Sequence, residues 1–516
     1  MTDNSNTAAM EGISSAPGSY RGDDKLLLGI VLSVITFWLF AQTTLNVAPA
    51  MRDDLGIDEN WSNIAVSITA LFSGIFIVVM GGIGDRVGRV KIALIGVVLS
   101  IIGSLLIAVS PSGTVVFLMT GRIIQGLSAA CIMPSTLALL KAYYDGPARQ
   151  RAVSFWSIGS WGGSGLCSLF GGAVASTIGW RWIFWMSIAI AVVSYLLIRQ
   201  TPESKVEQSG ESHPFDWSGL IAFMFAMVSL NIIIGQGSKL GWTSTMIVML
   251  TSVFLIAAVA FFKIEMSKAS AFVDFRLFHN STYTGATLSN FLLNGAAGTL
   301  LVSLTLVQKG AGLSSFQAGL LTVGYLIAIL ATIRVGEKLL QKWGPRKPML
   351  LGCSITAFGI LLTCMTFLYA WQYMIAAVIG FTLFGIGLGC YATPSTDAAL
   401  SNVPQNQAGS AAGIYKMASS LGAAFGVAIS AALLTGLSAG HITYGEGLFI
   451  GRTDNINVRF AAGMALLFNA FMTIVAIAAI MKTVPKGSGH DSKNIKPSNP
   501  AAAVLNDSDP NASKKR

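Results

Sequence analysis

Long apolar runs alternate with short polar joints along almost the whole chain. A helix needs about 20 apolar residues to cross the hydrocarbon core of a bilayer. About fourteen runs approach that length: 26–50, 63–83, 90–109, 114–139, 152–175, 182–198, 217–234, 243–262, 283–307, 317–333, 348–369, 373–395, 408–434 and 460–481. Joints as short as Ser110–Gly113 force neighbouring helices to run antiparallel. The pattern predicts an all-α polytopic membrane protein. Its expected divisions are a tail 1–24, a six-helix bundle 25–198, a linker 199–216, a helix pair 217–262, a second six-helix bundle 263–482 and a tail 483–516.

An even number of crossings places both ends of the chain on one side. Most Lys and Arg fall on that side, so the termini are expected in the cytoplasm. The first loop on the other side, Arg52-Asp53-Asp54 to Asp58-Glu59, is acidic. Residues 1–24 are polar and partly acidic, unlike a secretory leader, and both tails have the composition of disordered segments.

Composition agrees with lipid as the solvent. Of 516 residues, 53% are hydrophobic and only 11% charged, where a soluble domain carries about 25%. The net charge of +10 fits basic cytoplasmic loops better than nucleic acid, since no basic stripe interleaved with aromatics appears. The five cysteines lie in apolar runs without a C-x-x-C pair, and the four histidines lie in polar stretches, so neither a metal site nor another cofactor is expected. No nucleophile–base pair and no phosphate-binding G-x-x-x-x-G-K-[ST] loop is found, which argues against an enzyme and against direct use of ATP.

Three short matches recur half a chain apart and in the same order. Gly126-Leu-Ser-Ala-Ala-Cys131-Ile-Met-Pro134-Ser-Thr returns as Gly385-Ile-Gly-Leu-Gly-Cys390-Tyr-Ala-Thr-Pro394-Ser-Thr. Phe170-Gly171 returns as Phe425-Gly426, and Gly88-Arg-Val-Lys91 as Gly344-Pro-Arg-Lys347. A duplicated bundle is a transporter architecture, with the substrate site between the halves near the membrane midplane. The pair 217–262 is then an insertion, giving a 6+2+6 order.

Several residues carry candidate chemistry. In Gly81-Gly-Ile-Gly-Asp85-Arg86-Val-Gly88-Arg89, the glycines let two helices turn tightly. Asp85 can pair with a basic residue or cap a neighbouring helix, so this loop is the expected conformational latch. Arg122 lies inside the fourth run; an intramembrane charge is a functional candidate by default, the alternative being a structural arginine bonded to backbone carbonyls. Gly159, Gly163, Cys167 and Gly171, with Gly172 beside them, give the fifth run a face smooth enough for close helix packing. Asp397, after Pro394, is expected where a broken helix opens a polar pocket, and Lys416 could pair with it or attract an anionic group. Trp38, Gln42, Asn46, Gln125, Trp161, Asn290, Asn294, Tyr391 and Tyr415 are the polar and aromatic residues on the helices expected to line the substrate cavity.

The latch loop resembles the signature between helices 2 and 3 of the major facilitator superfamily. Its degenerate second copy, Gln341-Lys342-Trp-Gly344-Pro-Arg346-Lys347, has Gln341 in place of the acid. Gly121-Arg122-Ile-Ile-Gln125-Gly126 is similar to that family's R-x-x-x-G motif, whose arginine is linked to proton transfer. Gln42-Thr43-Thr44-Leu-Asn46-Val-Ala-Pro49 resembles the first-helix motif of its fourteen-helix drug:proton antiporters, with Ala41 where that motif has aspartate. In the fifth helix, Cys167-Ser168 stands where the antiporter signature has Gly-Pro. Runs such as Trp156-Ser-Ile-Gly-Ser-Trp-Gly-Gly-Ser-Gly165 and Gly413-Ile-Tyr-Lys-Met-Ala-Ser419 are similar to quinolone exporters of that family. The resemblance implies a monomeric, multi-pass protein of the cell membrane that exchanges protons for quinolones and other amphipathic or cationic drugs, with Arg122, Asp397 and Lys416 as candidates for coupling. A dedicated exporter of one metabolite, peptide or tetracycline-like compound is the second reading. A membrane sensor or scaffold fits less well, because it explains neither the intramembrane charges nor the duplicated halves.

Overall fold

The structure, a computed structural model, describes residues 20–204, 216–268, 275–438, 448–450 and 455–486. Most of the two expected tails and of the linker 199–216 lies outside the described residues. Among the described residues all regular structure is helical.

The first crossing comprises α1 (Asp24–Ile35), a π-helical turn Thr36–Ala41 and α2 (Thr44–Leu55). Then come α3 (Glu59–Val87), α4 (Arg89–Ala108) and α5 (Val116–Tyr143). The next segment is α6 (Gly146–Ser157), a second π turn Ile158–Gly162 and α7 (Gly163–Thr177), followed by α8 (Arg181–Ile198). A hairpin of α9 (Trp217–Leu240) and α10 (Thr245–Ser267) follows. The second half holds α11 (Ser281–Gly295), α12 (Gly298–Ala311), α13 (Ser315–Leu320), α14 (Val323–Trp343) and α15 (Arg346–Thr363). It ends with α16 (Ala370–Ser401), α17 (Ala408–Ser438) and α18 (Ile456–Thr483). Among the described residues, twelve helical stretches are long and apolar enough to cross a membrane; the helical segments 146–177 and 346–363 are not among the twelve.

The two halves repeat one packing scheme. In the first, α5 packs on both α3 and α4, and α4 packs on α8; in the second, α16 packs on both α14 and α15, and α15 packs on α18. The matched glycines sit at equivalent contacts. A Cβ on Gly126 would lie 2.6 Å from the Thr69 carbonyl of α3, and one on Gly385 would lie 2.4 Å from the Tyr325 carbonyl of α14. Small residues are what allow helices to approach this closely in lipid.

Pro394 does not break its helix: α16 continues through it to Ser401. Its missing N–H orphans the Cys390 carbonyl. Gly336 of α14 packs so closely over that carbonyl that a Cβ there would stand 2.8 Å from it. Neighbouring helices commonly hold such a proline-bearing span together.

The hairpin α9–α10 is largely peripheral. Ile256, Val259 and Phe262 of α10 are exposed, as expected of a lipid-facing helix, while α9 touches both α3 and α17. Asp216 caps α9 through the Gly219 amide at 2.9 Å and pairs with Lys268. Burial works to raise the Asp216 carboxyl, but the Gly219 amide, Lys268 and Ser218 together hold it below the ordinary carboxylate range.

Candidate functional site

The helix ends near 85–89, 141–151, 198–204 and 397–410 converge, and polar contacts join the two halves there. Asp85 accepts from the Gly409 and Ser410 amides at 3.0 Å, so a carboxylate of α3 caps the N-terminus of α17. Arg89 pairs with the same carboxylate at 2.7 Å and also donates to the Gln405 carbonyl. Gly81 lies against Gly409, where a Cβ would meet the carbonyl oxygen at 2.3 Å. Gly88, at φ +134°, occupies a conformation that favours glycine, and a Cβ there would strike the Glu203 carboxylate. Glu203 in turn caps α4 through the Val90 and Lys91 amides at 2.9 and 3.0 Å. Arg86 is exposed at the end of α3.

A second group extends the seal. Arg149 of α6 pairs with Asp397 of α16 at 2.9 Å and donates to Ser401; Gln150 reaches the other carboxylate oxygen. Lys141 donates to the Leu400 carbonyl at 2.6 Å and to that of Val403. Asp397 is thus bound across the halves and makes no ion pair with Lys416. The two residues sit on different helices joined by a turn, and Arg149 from the other half takes the carboxylate.

Arg122 is buried in the first half. It donates to the Ala65 and Ala41 carbonyls and to Gln125 Oε1, each at 2.8 Å, and more weakly to the Val66 carbonyl. Ala41 ends the π turn Thr36–Ala41. A π turn displaces the usual helical bonding and recurs at functional sites. Gln125 is buried with Arg122 and donates to Ser104 at 3.2 Å, so it supports this carbonyl cage and does not line an open cleft.

Gly159, Gly163 and Gly171 lie against the first crossing, where their added Cβ atoms would meet Val31, Trp38 and Thr43. Cys167 shares that face: its carbonyl accepts from Thr43 and its sulfur lies 3.9 Å from the Asn46 amide nitrogen. Gly172 does not belong to it, with nothing within 4 Å of an added Cβ, because one residue further turns it away. Trp38, Gln42 and Trp161 are half-buried, and Asn46 is exposed beside Ser168, which donates to it at 3.1 Å. Trp38 also donates to the Met133 sulfur.

In the second half, Tyr391 and Tyr415 are buried in a hydroxyl chain. Tyr391 meets Ser289 at 2.7 Å and Ser395 at 2.9 Å, and Ser395 meets Tyr415 at 2.8 Å. Asn290 donates to the Tyr415 carbonyl, and half-buried Asn294 to Asn290. Lys416 is buried with its ammonium 4.2 Å from the centre of the Trp156 ring, on the other half.

Sequence reasoning missed Lys141, Arg149, Gln150, Trp156 and Glu337. Glu337 is buried in α14, bonded to Arg334 and Gln341, because that helix runs ten residues past the apolar stretch ending at 333. Lys141 is likewise on the last turn of α5, beyond the run ending at 139.

A family model described as Major Facilitator Superfamily matches residues 26–427 and again 285–506. The chain is 50% identical over 468 residues to a protein of Staphylococcus aureus strain MRSA252 named "Quinolone resistance protein NorB", covering 91% of this chain and 97% of that one. The NorB of strain COL is 51% identical over the same length. Among solved structures, the proton:xylose symporter XylE aligns over 90% of this chain and 96% of its own, with a TM-score of 0.62 at 17% identity. A bacterial homologue of the iron transporter ferroportin, in an outward-facing state, aligns over 89% of this chain and 98% of its own, with a TM-score of 0.59 at 12% identity.

Proposed function

Because the chain belongs to the major facilitator superfamily, and is a multi-pass cell-membrane transporter of small molecules and not an enzyme, we propose that it expels quinolones and other cationic or amphipathic drugs from the cytoplasm in exchange for protons. It does so by alternating access, as a monomer of fourteen crossings in a 6+2+6 order with both termini in the cytoplasm. Of the two helical segments beyond the twelve, 346–363 takes in the second half the place that α4 has in the first, and 146–177 packs through α6 on α14 and α16 as α17 packs on α3 and α5, which supports counting both as crossings.

The observation that carries this reading is the seal between the halves. α3, α5 and α6 are tied by Asp85, Lys141 and Arg149 to α16 and α17 at one end of the bundle, while Asn46 and Ser168 stay exposed beyond the midpoint of their crossings. That arrangement suits a transporter closed toward the cytoplasm and open outward. Quinolones are the first substrates to test, given the likeness to NorB over most of the chain.

Everted membrane vesicles provide the test. With an acidified lumen, vesicles carrying the protein should accumulate a fluoroquinolone, and a proton uncoupler should abolish the accumulation. Accumulation no greater than in vesicles lacking the protein would overturn the reading.

A further inference from the structure

We propose that the face of the Trp156 ring is a cation-accepting subsite, which the ammonium of Lys416 and the cationic group of a drug occupy in turn. The proposal rests on the antiport reading above and gives it a place in the molecule.

The ring is a rigid platform. Trp156 is fully buried, and its Nε1 donates to Thr136 Oγ1 of α5 at 3.0 Å, which fixes the ring plane. An indole face attracts cations through its quadrupole, and most strongly where water is excluded. Lys416 occupies that face at 4.2 Å, with the Tyr415 ring at 5.7 Å.

What sets Lys416 apart is what else it lacks. Among the described residues, each other cation placed over a ring has an anionic or carbonyl partner: Arg151 has Asp24, Arg181 has Asp54, Arg334 has Glu337, and Arg459 has the carbonyls of Thr366 and Leu368. Among the described residues Lys416 has aromatic faces alone. Among the described side chains, the carboxylates on helices packed against α17 are engaged elsewhere: Asp85 of α3 with Arg89, Asp397 of α16 with Arg149, and Asp216 at the start of α9 with Lys268. Those helices also bring cations, among them Arg122 and Lys141 of α5, Lys309 of α12, and Arg459 and Lys482 of α18. The phenols are Tyr143 of α5, Tyr283 of α11, and Tyr373 and Tyr391 of α16, all hydrogen-bonded.

The pair also joins the two halves, Trp156 on α6 and Lys416 on α17. Rocking the halves apart at the sealed end separates ring from ammonium. The exchange then conserves charge. When the site faces the cytoplasm, Lys416 Nζ gives its proton to water and the drug cation takes the ring. When it faces outward, water returns a proton to Nζ, the ammonium takes the ring again and the drug cation leaves. One proton enters for each positive charge expelled.

Equilibrium binding of the lipophilic cation tetraphenylphosphonium to the detergent-purified protein tests this without a proton gradient. Wild-type affinity should rise by up to about tenfold per unit of pH where Lys416 titrates. Lys416→Met should bind the cation with a flat pH profile. Lys416→Arg, which keeps its charge, should bind at least about tenfold more weakly at high pH than wild type. Trp156→Leu should lose binding about tenfold or more, with Trp156→Phe between the two. A wild-type pH profile in Lys416→Met, or wild-type affinity in Trp156→Leu, would overturn the proposal. Size-exclusion profiles separate misfolding from loss of the site, and Lys416→Arg keeps the test decisive if Lys416→Met fails to fold. Failure here with intact quinolone accumulation in vesicles would leave the antiport reading standing and remove only this subsite.

Discussion

The guanidinium of Arg122 donates at 2.8 Å to the carbonyl of Ala41, the residue that stands where similar antiporters carry an aspartate. A backbone oxygen offered by the π turn Thr36–Ala41 thus does the hydrogen-bonding part of what a carboxylate would do. Lysine cannot span Ala41, Ala65 and Gln125 together, because its donors radiate from one atom. Arg122→Lys should therefore lower stability by about 1–3 kcal/mol and depress efflux. Thermal unfolding in detergent, paired with drug accumulation in cells, checks this; an unchanged midpoint with normal efflux would show the carbonyl cage to be dispensable.

Asp397 of α16 and Arg149 of α6 pair at 2.9 Å across the two halves. Asp397→Asn leaves a mostly buried guanidinium facing a neutral amide, which should weaken closure by about 1–3 kcal/mol. A cysteine introduced at Ser395, with the native cysteines replaced, should then react with a thiol reagent roughly tenfold faster or more. Combining Arg149→Asp with Asp397→Arg should restore slow labelling. Equal labelling rates in all three proteins would remove the pair from the gate.

Neighbouring glycines give a paired control where α3 meets α17. Gly81→Ala places a methyl 2.3 Å from the Gly409 carbonyl, whereas nothing lies within 4 Å of a Cβ on Gly82. Transport should fall by about tenfold or more in the first and stay within about twofold in the second. Equal activities would mean that α3 and α17 need not approach so closely.

The same logic applies where the fifth crossing meets the first. Gly171→Ala would meet the Thr43 methyl at 2.2 Å, while Gly172→Ala enters open space. The first should destabilise by about 1–3 kcal/mol and the second by less than about 0.5 kcal/mol, as read by thermal unfolding.

The cap of the α9–α10 hairpin should respond to acid. The folded Asp216 carboxyl titrates below its ordinary value of 3.8. Its stabilisation is therefore complete well above that value and is lost as pH falls through the lower folded one. Asp216→Asn should lower the unfolding midpoint at neutral pH, and the gap from wild type should close in strong acid. A gap that widens in acid would contradict the sign.

Long apolar helices were legible from apolar length, twelve of them among the described residues, and the pairing of Asp85 with a basic residue was legible from its surroundings, although the choice of Arg89 was not. Capping of a neighbouring helix by Asp85 was legible as a possibility, but its location on α17 was not, since Gly409 lies more than half the chain away. Arg149, Lys141 and Trp156 were hidden for the same reason, each acquiring its role from a partner in the other half. Glu337 and Arg334 were hidden because apolar runs mark where lipid begins, whereas α14 continues beyond that boundary. Nothing in 36–41 announces a π turn, as no proline or glycine marks it.

The duplication is imperfect where it matters mechanically. Asp85 bolts α3 to α17, while the matching position beside α6 is the exposed Gln341, which bonds Glu337 one turn back on its own helix. On that flank α14 meets α6 through Arg334 stacked over Phe155, and the ion pair to α6, Arg149 with Asp397, comes from α16. The two edges are therefore fastened by different chemistry, one by a carboxylate on main-chain amides and the other by a guanidinium–carboxylate pair beside an aromatic contact, so loss of the Asp85 carboxylate should loosen the α3 edge and spare the α6 edge.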